Sequence, residues 1–308
     1  MVKKISILTA AFNEEQNILK FIEEVKKNTK DYNYEIIVVD NNSSDKTLDL
    51  LEKISSNDSR INYISLTKNE GYQKGILAGL KYTSGEVIIT MDADLQHPPS
   101  LIKKMIKAYE NGNEIVLTKK NREKTSVLRK ILNVIFYKSL SYLSDLKMED
   151  SQGEFRLMSK KVCNLLIQLP ENNKFIRGIM LWSGYKYKVL NYTPNKRYLG
   201  KSKFNMFKLL GLTIDAVISF SVKPLRLIIY SGILISFLSL CYIIFFIADY
   251  FLFNRFDLPG YSSIYVGIYF FGGFQIFCLG IIAEYLGRAL ELLKARPEYI
   301  LKKTSFKD

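Results

Sequence analysis

The run Glu35-Ile-Ile-Val-Val-Asp40 is apolar from end to end between its two carboxylates. A strand with one wet face alternates apolar and polar residues, whereas an unbroken apolar strand is covered on both faces. The pattern continues outward from it. Ile5 to Thr9 is a short strand candidate, and Glu14 to Lys27 follows with Ile18, Leu19, Ile22 and Val25 at helical spacing. Asn41 to Asp45 reads as a turn and Thr47 to Ile54 as a helix. Ile61 to Leu66 and Glu86 to Met91 are further strands, separated by a helix from Gly71 to Tyr82. Pro99 opens a helix through Tyr109, with proline in its first turn, and Glu114 to Thr118 returns as a strand. This alternation predicts an α/β fold with a mostly parallel, Rossmann-like sheet. Ligands bind such sheets beyond the carboxyl ends of the strands, where Asp40 and Asp92 stand.

Two uncharged hydrophobic runs follow near the end of the 308-residue chain, Leu227 to Ala248 and Tyr261 to Ala283. A helix needs roughly 20 apolar residues to cross a ~30 Å hydrocarbon core, so each run predicts a transmembrane helix. The net charge of +14 is dense before the first run (Lys196, Arg197, Lys201, Lys203, Lys208, Lys223, Arg226) and after the second (Arg288, Lys294, Arg296, Lys302, Lys303). The loop between them carries only Arg255 against Asp249 and Asp257. Both flanks are therefore expected on the cytoplasmic side of a multi-pass membrane protein. Attraction to anionic membrane lipid accounts for this charge; no nucleic-acid motif accompanies it. Met1 to Thr9 is too short for a cleavable signal, which leaves the catalytic domain and both termini in the cytoplasm. Phe204 to Val222 carries Phe204, Phe207, Leu210, Ile214, Val217 and Ile218 at helical spacing directly before the first run. It reads as an interfacial amphipathic helix, with an ordinary core helix as the alternative. Ser126 to Leu146 reads as a further helix. The expected organisation is a cytoplasmic domain at 1–202, the interfacial helix at 203–223, two membrane helices within 224–287 and a basic tail at 288–308.

The single histidine, His97, excludes Ser-His-Asp triads and multi-histidine metal clusters, and the three cysteines show no paired spacing. Any metal here is a hard cation held by oxygen. The sharpest motif is Met91-Asp92-Ala93-Asp94-Leu95-Gln96-His97-Pro98-Pro99. Two carboxylates one residue apart, just past a buried strand, can share Mg2+ or Mn2+ with a diphosphate. His97 is either a supporting contact or a plain loop residue. Thr9 to Glu15 and Val39 to Thr47 contain no glycine-rich phosphate cradle, so P-loop and dinucleotide fingerprints are absent. Asp40 can accept hydrogen bonds from a base or ribose, Glu14 caps a helix or meets the nucleotide, and Asp45-Lys-Thr47 reads first as a helix cap.

The chain resembles the polyprenyl-phosphate glycosyltransferases, membrane-anchored inverting enzymes of GT-A fold that include bactoprenol glucosyltransferases and dolichol-phosphate mannose synthases. The resemblance rests on Phe12-Asn-Glu-Glu15, Val39-Asp40, Asp45-Lys-Thr47, Lys68-Asn-Glu-Gly71, Ala78-Gly-Leu80, Asp92 to Pro99 and Gly153-Glu-Phe-Arg-Leu-Met158. It continues through Ile176-Arg-Gly178, Arg197 to Phe204, Phe220 to Arg226 and Glu284-Tyr-Leu-Gly-Arg288. It implies nucleotide contacts at Ala10, Phe12, Glu14, Asp40, Lys68, Gly71, Asp92 and Ala93. A metal would be held by Asp92, Asp94 and Gln96, and phosphate by Arg197, Ser202 and Lys203. Catalytic candidates are Asp94, Glu154, Asp150 and Arg156; the alternative for Arg156 is an ion pair within the fold. Many relatives have proline at the place of Ala10 and Asp-Gly at that of Asn41-Asn42. The acidic residue often found five before the motif arginine is Ser151 here, which leaves Glu154 and Asp150 as the carboxylates.

The function so implied is inverting transfer of one sugar from a nucleotide-sugar, UDP-glucose first and GDP-mannose as another option, to undecaprenyl phosphate. The product would be a lipid-linked sugar for envelope glycan modification, made by a homo-oligomer. A processive polysaccharide synthase would need more spanning helices and a Q-x-x-R-W motif. A catalytically silent partner of a lipid-sugar flippase would not need Asp92-Ala-Asp94.

Overall fold

The computed structural model describes residues 2–121, 152–171, 174–195, 223–253 and 260–306. The described residues form two compact units, one of 2–121, 152–171, 174–195 and 296–306, the other of 223–253 and 260–295.

The first unit is built on an eight-stranded sheet in the order β7-β5-β6-β4-β1-β2-β3-β8. Its strands are β1 (Ile5–Ala11), β2 (Tyr34–Asp40), β3 (Ile61–Leu66), β4 (Val87–Thr90), β5 (Ile115–Lys120), β6 (Gln152–Ser159), β7 (Tyr187–Tyr192) and β8 (Leu301–Thr304). Around them lie α1 (Ile18–Thr29), α2 (Thr47–Asn57), α3 (Tyr72–Leu80), α4 (Ile102–Glu110), α5 (Lys160–Gln168) and α6 (Ile176–Trp182). All seven residues of β2 are buried, as its unbroken apolar run requires. Ile36 and Val38 join the core formed with Ile18, Phe21 and Val25 of α1 and Met105 of α4. Val39 points the other way, under α3: a Cβ on Gly79 would lie 2.9 Å from Val39 Cγ2 and 2.3 Å from Leu8 Cδ1. Only a glycine lets this helix sit so close to β1 and β2.

The sheet is mostly parallel, as expected, but mixed: of its eight strands only β6 and β8 run against the others. Strands β1, β2, β3 and β4 pair in parallel, as do β5 and β7, but β6 runs antiparallel between β4 and β5. The chain closes on β8, antiparallel to β3. The expected basic tail thus contributes an edge strand. Helix α1 starts at Ile18 rather than Glu14, because residues 14–17 form a turn in which Asn17 Nδ2 donates to Glu14 Oε2 at 2.6 Å.

The second unit contains the two hydrophobic runs as helices α7 (Lys223–Phe253) and α8 (Tyr261–Leu293). Among the described residues no helix is long and apolar enough to cross a membrane. The helices expected at 126–146 and 204–222 lie outside the described residues.

Candidate active site

Strands β1, β2 and β4 finish together: Ala11 pairs with Asp40, and Leu8 with Thr90. The segments 12–15, 41–46 and 91–98 therefore leave the sheet at one edge. Antiparallel β6 begins at that edge, and Thr90 Oγ1 donates to the Glu154 carbonyl at 2.8 Å.

The first two loops are tied to each other. Asn13, at φ 56°, donates its N–H to Ser43 Oγ at 3.0 Å and accepts from Ser44 N at 2.9 Å. Glu14 N donates to Thr47 Oγ1 at 2.9 Å, and Glu15 N to Asp45 Oδ2 at 3.1 Å. Asp45 Oδ1 accepts from Thr47 N two residues on, a local turn bond; the N-cap position of α2 is Lys46, which makes no side-chain cap bond, so the cap reading is corrected. Asp40 is buried; its carboxylate accepts from Ser43 N at 3.1 Å and Ser65 Oγ at 2.8 Å. It acts on this edge mainly through the turn it fixes. Ala10 faces α3, where a Cβ on Gly75 would meet its own Cβ at 3.0 Å. Gly71, at φ +83°, precedes α3, and Lys68 pairs with Glu70 at 3.1 Å.

After β4 the burial alternates. Ala93, Leu95 and His97 are buried, while Asp92, Asp94 and Gln96 stay half-exposed. Leu95 takes φ 62°, and Gln96 N donates to Asp94 Oδ1 at 3.1 Å. Three oxygen-bearing side chains thus share one outward strip. Among the described residues no three His, Cys, Asp or Glu cluster as a complete metal site. Two carboxylates and an amide suit a hard cation whose remaining ligands are diphosphate oxygens or water, so the donor set fits Mg2+ or Mn2+.

His97 lies behind the strip. Its Nδ1 accepts from Asp92 N at 3.1 Å, and its Nε2 is 3.5 Å from Asp92 Oδ2. The ring stacks on Phe155 with centroids 5.2 Å apart and meets Tyr192 edge-on at 5.9 Å. Burial and nearby Lys120 push its pKa down to about 3, with Asp94 pulling the other way. The imidazole is neutral. Burial and Asp92 likewise raise the Tyr72 and Tyr192 hydroxyls.

Glu154 stands between two arginines. Arg156, 2% exposed, contacts Glu154 Oε2 through its Nη2, and Arg177 Nη2 is 3.6 Å from Glu154 Oε1. Burial and the Arg177 charge lower the Arg156 pKa to about 10, with Tyr72 and Asp92 opposing. Arg156 thus forms the ion pair within the fold that was one of its two readings.

The structure brings Asp92, Asp94, Gln96, Glu154 and Arg156 to one edge of the sheet. Asp150, Arg197, Ser202 and Lys203 lie outside the described residues. Tyr72, Tyr192 and Arg177 have no role in the reading from sequence. A buried tyrosine and an arginine carry no local signal of the site they face, although Arg177 falls within a stretch quoted for the family. A cavity of about 300 Å³, lined by Val2, Glu86, Tyr109 and Glu114, lies at the other end of the strands and takes no part.

Residues 6–166 match glycosyl transferase family 2, and residues 223–289 match the GtrB C-terminal hairpin. The chain is 39% identical to the putative glycosyltransferase CsbB of Bacillus subtilis, over 98% of this chain and 92% of that protein. It is 36% identical to the SfII prophage-derived bactoprenol glucosyl transferase of Shigella flexneri, over 98% of each. With the prophage bactoprenol glucosyl transferase homolog of Escherichia coli it shares 34% identity, over 97% of this chain and 99% of that one. Among solved structures it is similar to the mannosyltransferase PcManGT of Pyrobaculum calidifontis, at 15% identity and a TM-score of 0.49 over 73% of this chain and 64% of that one. That likeness is too distant to place a site residue. Matched along nearly its whole length by such relatives, the chain belongs to glycosyl transferase family 2, with a C-terminal hairpin of the GtrB type.

Proposed function

We propose that this protein moves a single sugar, glucose as first candidate, from a nucleotide-sugar to undecaprenyl phosphate, inverting the anomeric carbon. The outward strip of Asp92, Asp94 and Gln96 beside the Arg-clamped Glu154 carries this reading. The relatives named bactoprenol glucosyl transferase support the acceptor and the sugar. Asp92, Asp94 and Gln96 would hold a Mg2+ or Mn2+ ion, which would supply charge neutralisation for the departing diphosphate. The chain's own part is to bind and orient. Residues 12–15 and 41–46 form the nucleotide wall, with Asp40 holding the second of these loops. The acceptor phosphate has a second pKa near 6 and is mostly dianionic at neutral pH, so it needs little deprotonation. Its oxygen forms the new bond to the anomeric carbon as the bond to the nucleoside diphosphate breaks in line. Glu154, fixed by two arginines, positions the acceptor more than it removes a proton. Arg197, Ser202 and Lys203 are assigned to hold a phosphate.

The same proposal places α7 and α8 across the cytoplasmic membrane. No described helix is by itself long and apolar enough to span, so this placement rests on the uncharged runs Leu227 to Ala248 and Tyr261 to Ala283 and on the match to the GtrB C-terminal hairpin. Large apolar side chains face outward, with Ile233 62% and Ile276 72% exposed, a costly surface in water. The chain leaves the first unit before the hairpin and rejoins it at 296, where β8 enters the same sheet. The basic residues on both flanks of the hairpin put both of its ends on the cytoplasmic side in this reading.

The test is full-length protein in detergent with undecaprenyl phosphate, Mg2+ or Mn2+ and labelled nucleotide-sugars. The expected result is metal-dependent label in the lipid extract, strongest from UDP-glucose. Label from no donor sinks the proposal; label from another donor replaces only the sugar.

A further inference from the structure

Three buried polar atoms near the acidic strip, Tyr72 Oη, His97 Nε2 and Tyr192 Oη, make no hydrogen bond of normal geometry, although the Tyr72 hydroxyl lies within reach of Asp92 and that of Tyr192 within reach of Thr118. They are three of eight such atoms among the described residues, and they come from three separate elements. Tyr72 is the first residue of α3, His97 belongs to the loop after β4, and Tyr192 ends β7. Two of them are neighbours, the His97 and Tyr192 rings meeting edge-on at 5.9 Å. His97 Nε2 is 3.5 Å from Asp92 Oδ2, beyond a normal hydrogen bond. The two hydroxyls feel both Asp92 and Asp94. Because His97 Nδ1 accepts from Asp92 N, the neutral ring carries its proton on Nε2, facing the carboxylate.

Packing alone does not account for this group. Phenylalanine at 72 or 192 would fill the same space and strand no hydroxyl, and stranded buried donors are rare in native folds. Carboxylates that hold a cation on one side are commonly oriented by donors on the other. We propose that Tyr72, His97 and Tyr192 form a donor cage that closes on Asp92 and Asp94 when a divalent cation binds, and so sets the affinity for it. They are positioning residues: none needs to touch the sugar. The inference rests on the cation site of the proposed function and adds what tunes it.

The experiment uses full-length protein in detergent and Mn2+ alone, with free Mn2+ followed by electron paramagnetic resonance. Tyr72→Phe and Tyr192→Phe are each expected to raise the Mn2+ dissociation constant about 10-fold. The metal-free unfolding temperature should stay level or rise, since a stranded hydroxyl has been removed. A purely structural role predicts the reverse: an unchanged dissociation constant and a lower metal-free unfolding temperature. Either half of that reverse result overturns the cage. His97→Leu tests the third donor, and the two tyrosine variants decide the matter if it does not fold. Wild-type protein that transfers sugar without binding Mn2+ overturns the cage but leaves the transferase. Binding that weakens as expected in a protein that transfers no sugar keeps the cage and overturns the transferase.

Discussion

Lys174 and Glu298 are 124 residues apart in sequence, yet Lys174 Nζ lies 2.6 Å from Glu298 Oε1, with side chains only 5% and 16% exposed. The pair binds the segment after the hairpin to the first unit. That segment is held again by β8 on β3, by Lys303 with Glu52 at 2.6 Å and by Tyr82 against Phe306 at 4.9 Å. Breaking a buried pair leaves one charge stranded, at about 3 kcal/mol. Glu298→Ala should therefore lower unfolding free energy by about that much, and deletion of 297–308 by more, read by urea titration in detergent. A change below ~0.5 kcal/mol would mean that the strap adds nothing.

Glu154→Gln should keep more transferase activity than Asp94→Asn. The first removes a charge between Arg156 and Arg177 but leaves an amide in place to orient the acceptor. The second removes one of two carboxylates on the strip. A general base is worth about 10²–10⁴-fold in rate, so a loss that large in Glu154→Gln, with folding intact, would make Glu154 the base.

Two glycines of the α3 region fail for different reasons. Gly79→Ala puts a Cβ within 2.3 Å of Leu8 Cδ1 and should cost about 1–3 kcal/mol through overpacking. Gly71→Ala meets open space but must hold φ 83° and ψ 168°, a region only glycine adopts readily, at about 1–3 kcal/mol. Thermal unfolding distinguishes them: Leu8→Ala in the same chain should relieve the first and leave the second unchanged.

Acid should weaken the first unit through Glu35. Burial raises its pKa, but hydrogen bonds from Lys4, Ser6 and Ser84 outweigh burial and hold the carboxylate below the ordinary glutamate range. A carboxylate depressed in the folded state stabilises fully above the unfolded pKa and loses that contribution as pH falls through the folded one. Urea midpoints should thus decline below about pH 4.5. Glu35→Gln should be less stable at pH 7 and show a shallower decline; an identical slope would remove Glu35 as the cause.

Much of the site was legible in residue order. Asp92-Ala-Asp94 after an apolar strand located the strip, and the apolar run of β2 implied helices on both faces. His97 was open between a supporting contact and a loop residue, and its position against Asp92 decides for the former. Less was visible in β6 and β7. β6 falls within a quoted motif, yet nothing local marks it as the antiparallel strand between β4 and β5.

By itself the sequence determined the elements that obey a short period: five strands, the helices between them, the carboxylates at strand ends and two hydrophobic runs. These follow from backbone geometry and local burial, which a few neighbouring residues encode. Tertiary structure alone decided that β6 is inserted antiparallel, that β8 joins the sheet beside β3, that Arg177 pairs with Glu154, and that Tyr72 and Tyr192 lie within the field of the acidic strip. Pairing partners and convergent side chains depend on which distant surfaces pack together, and no stretch of chain records its partner.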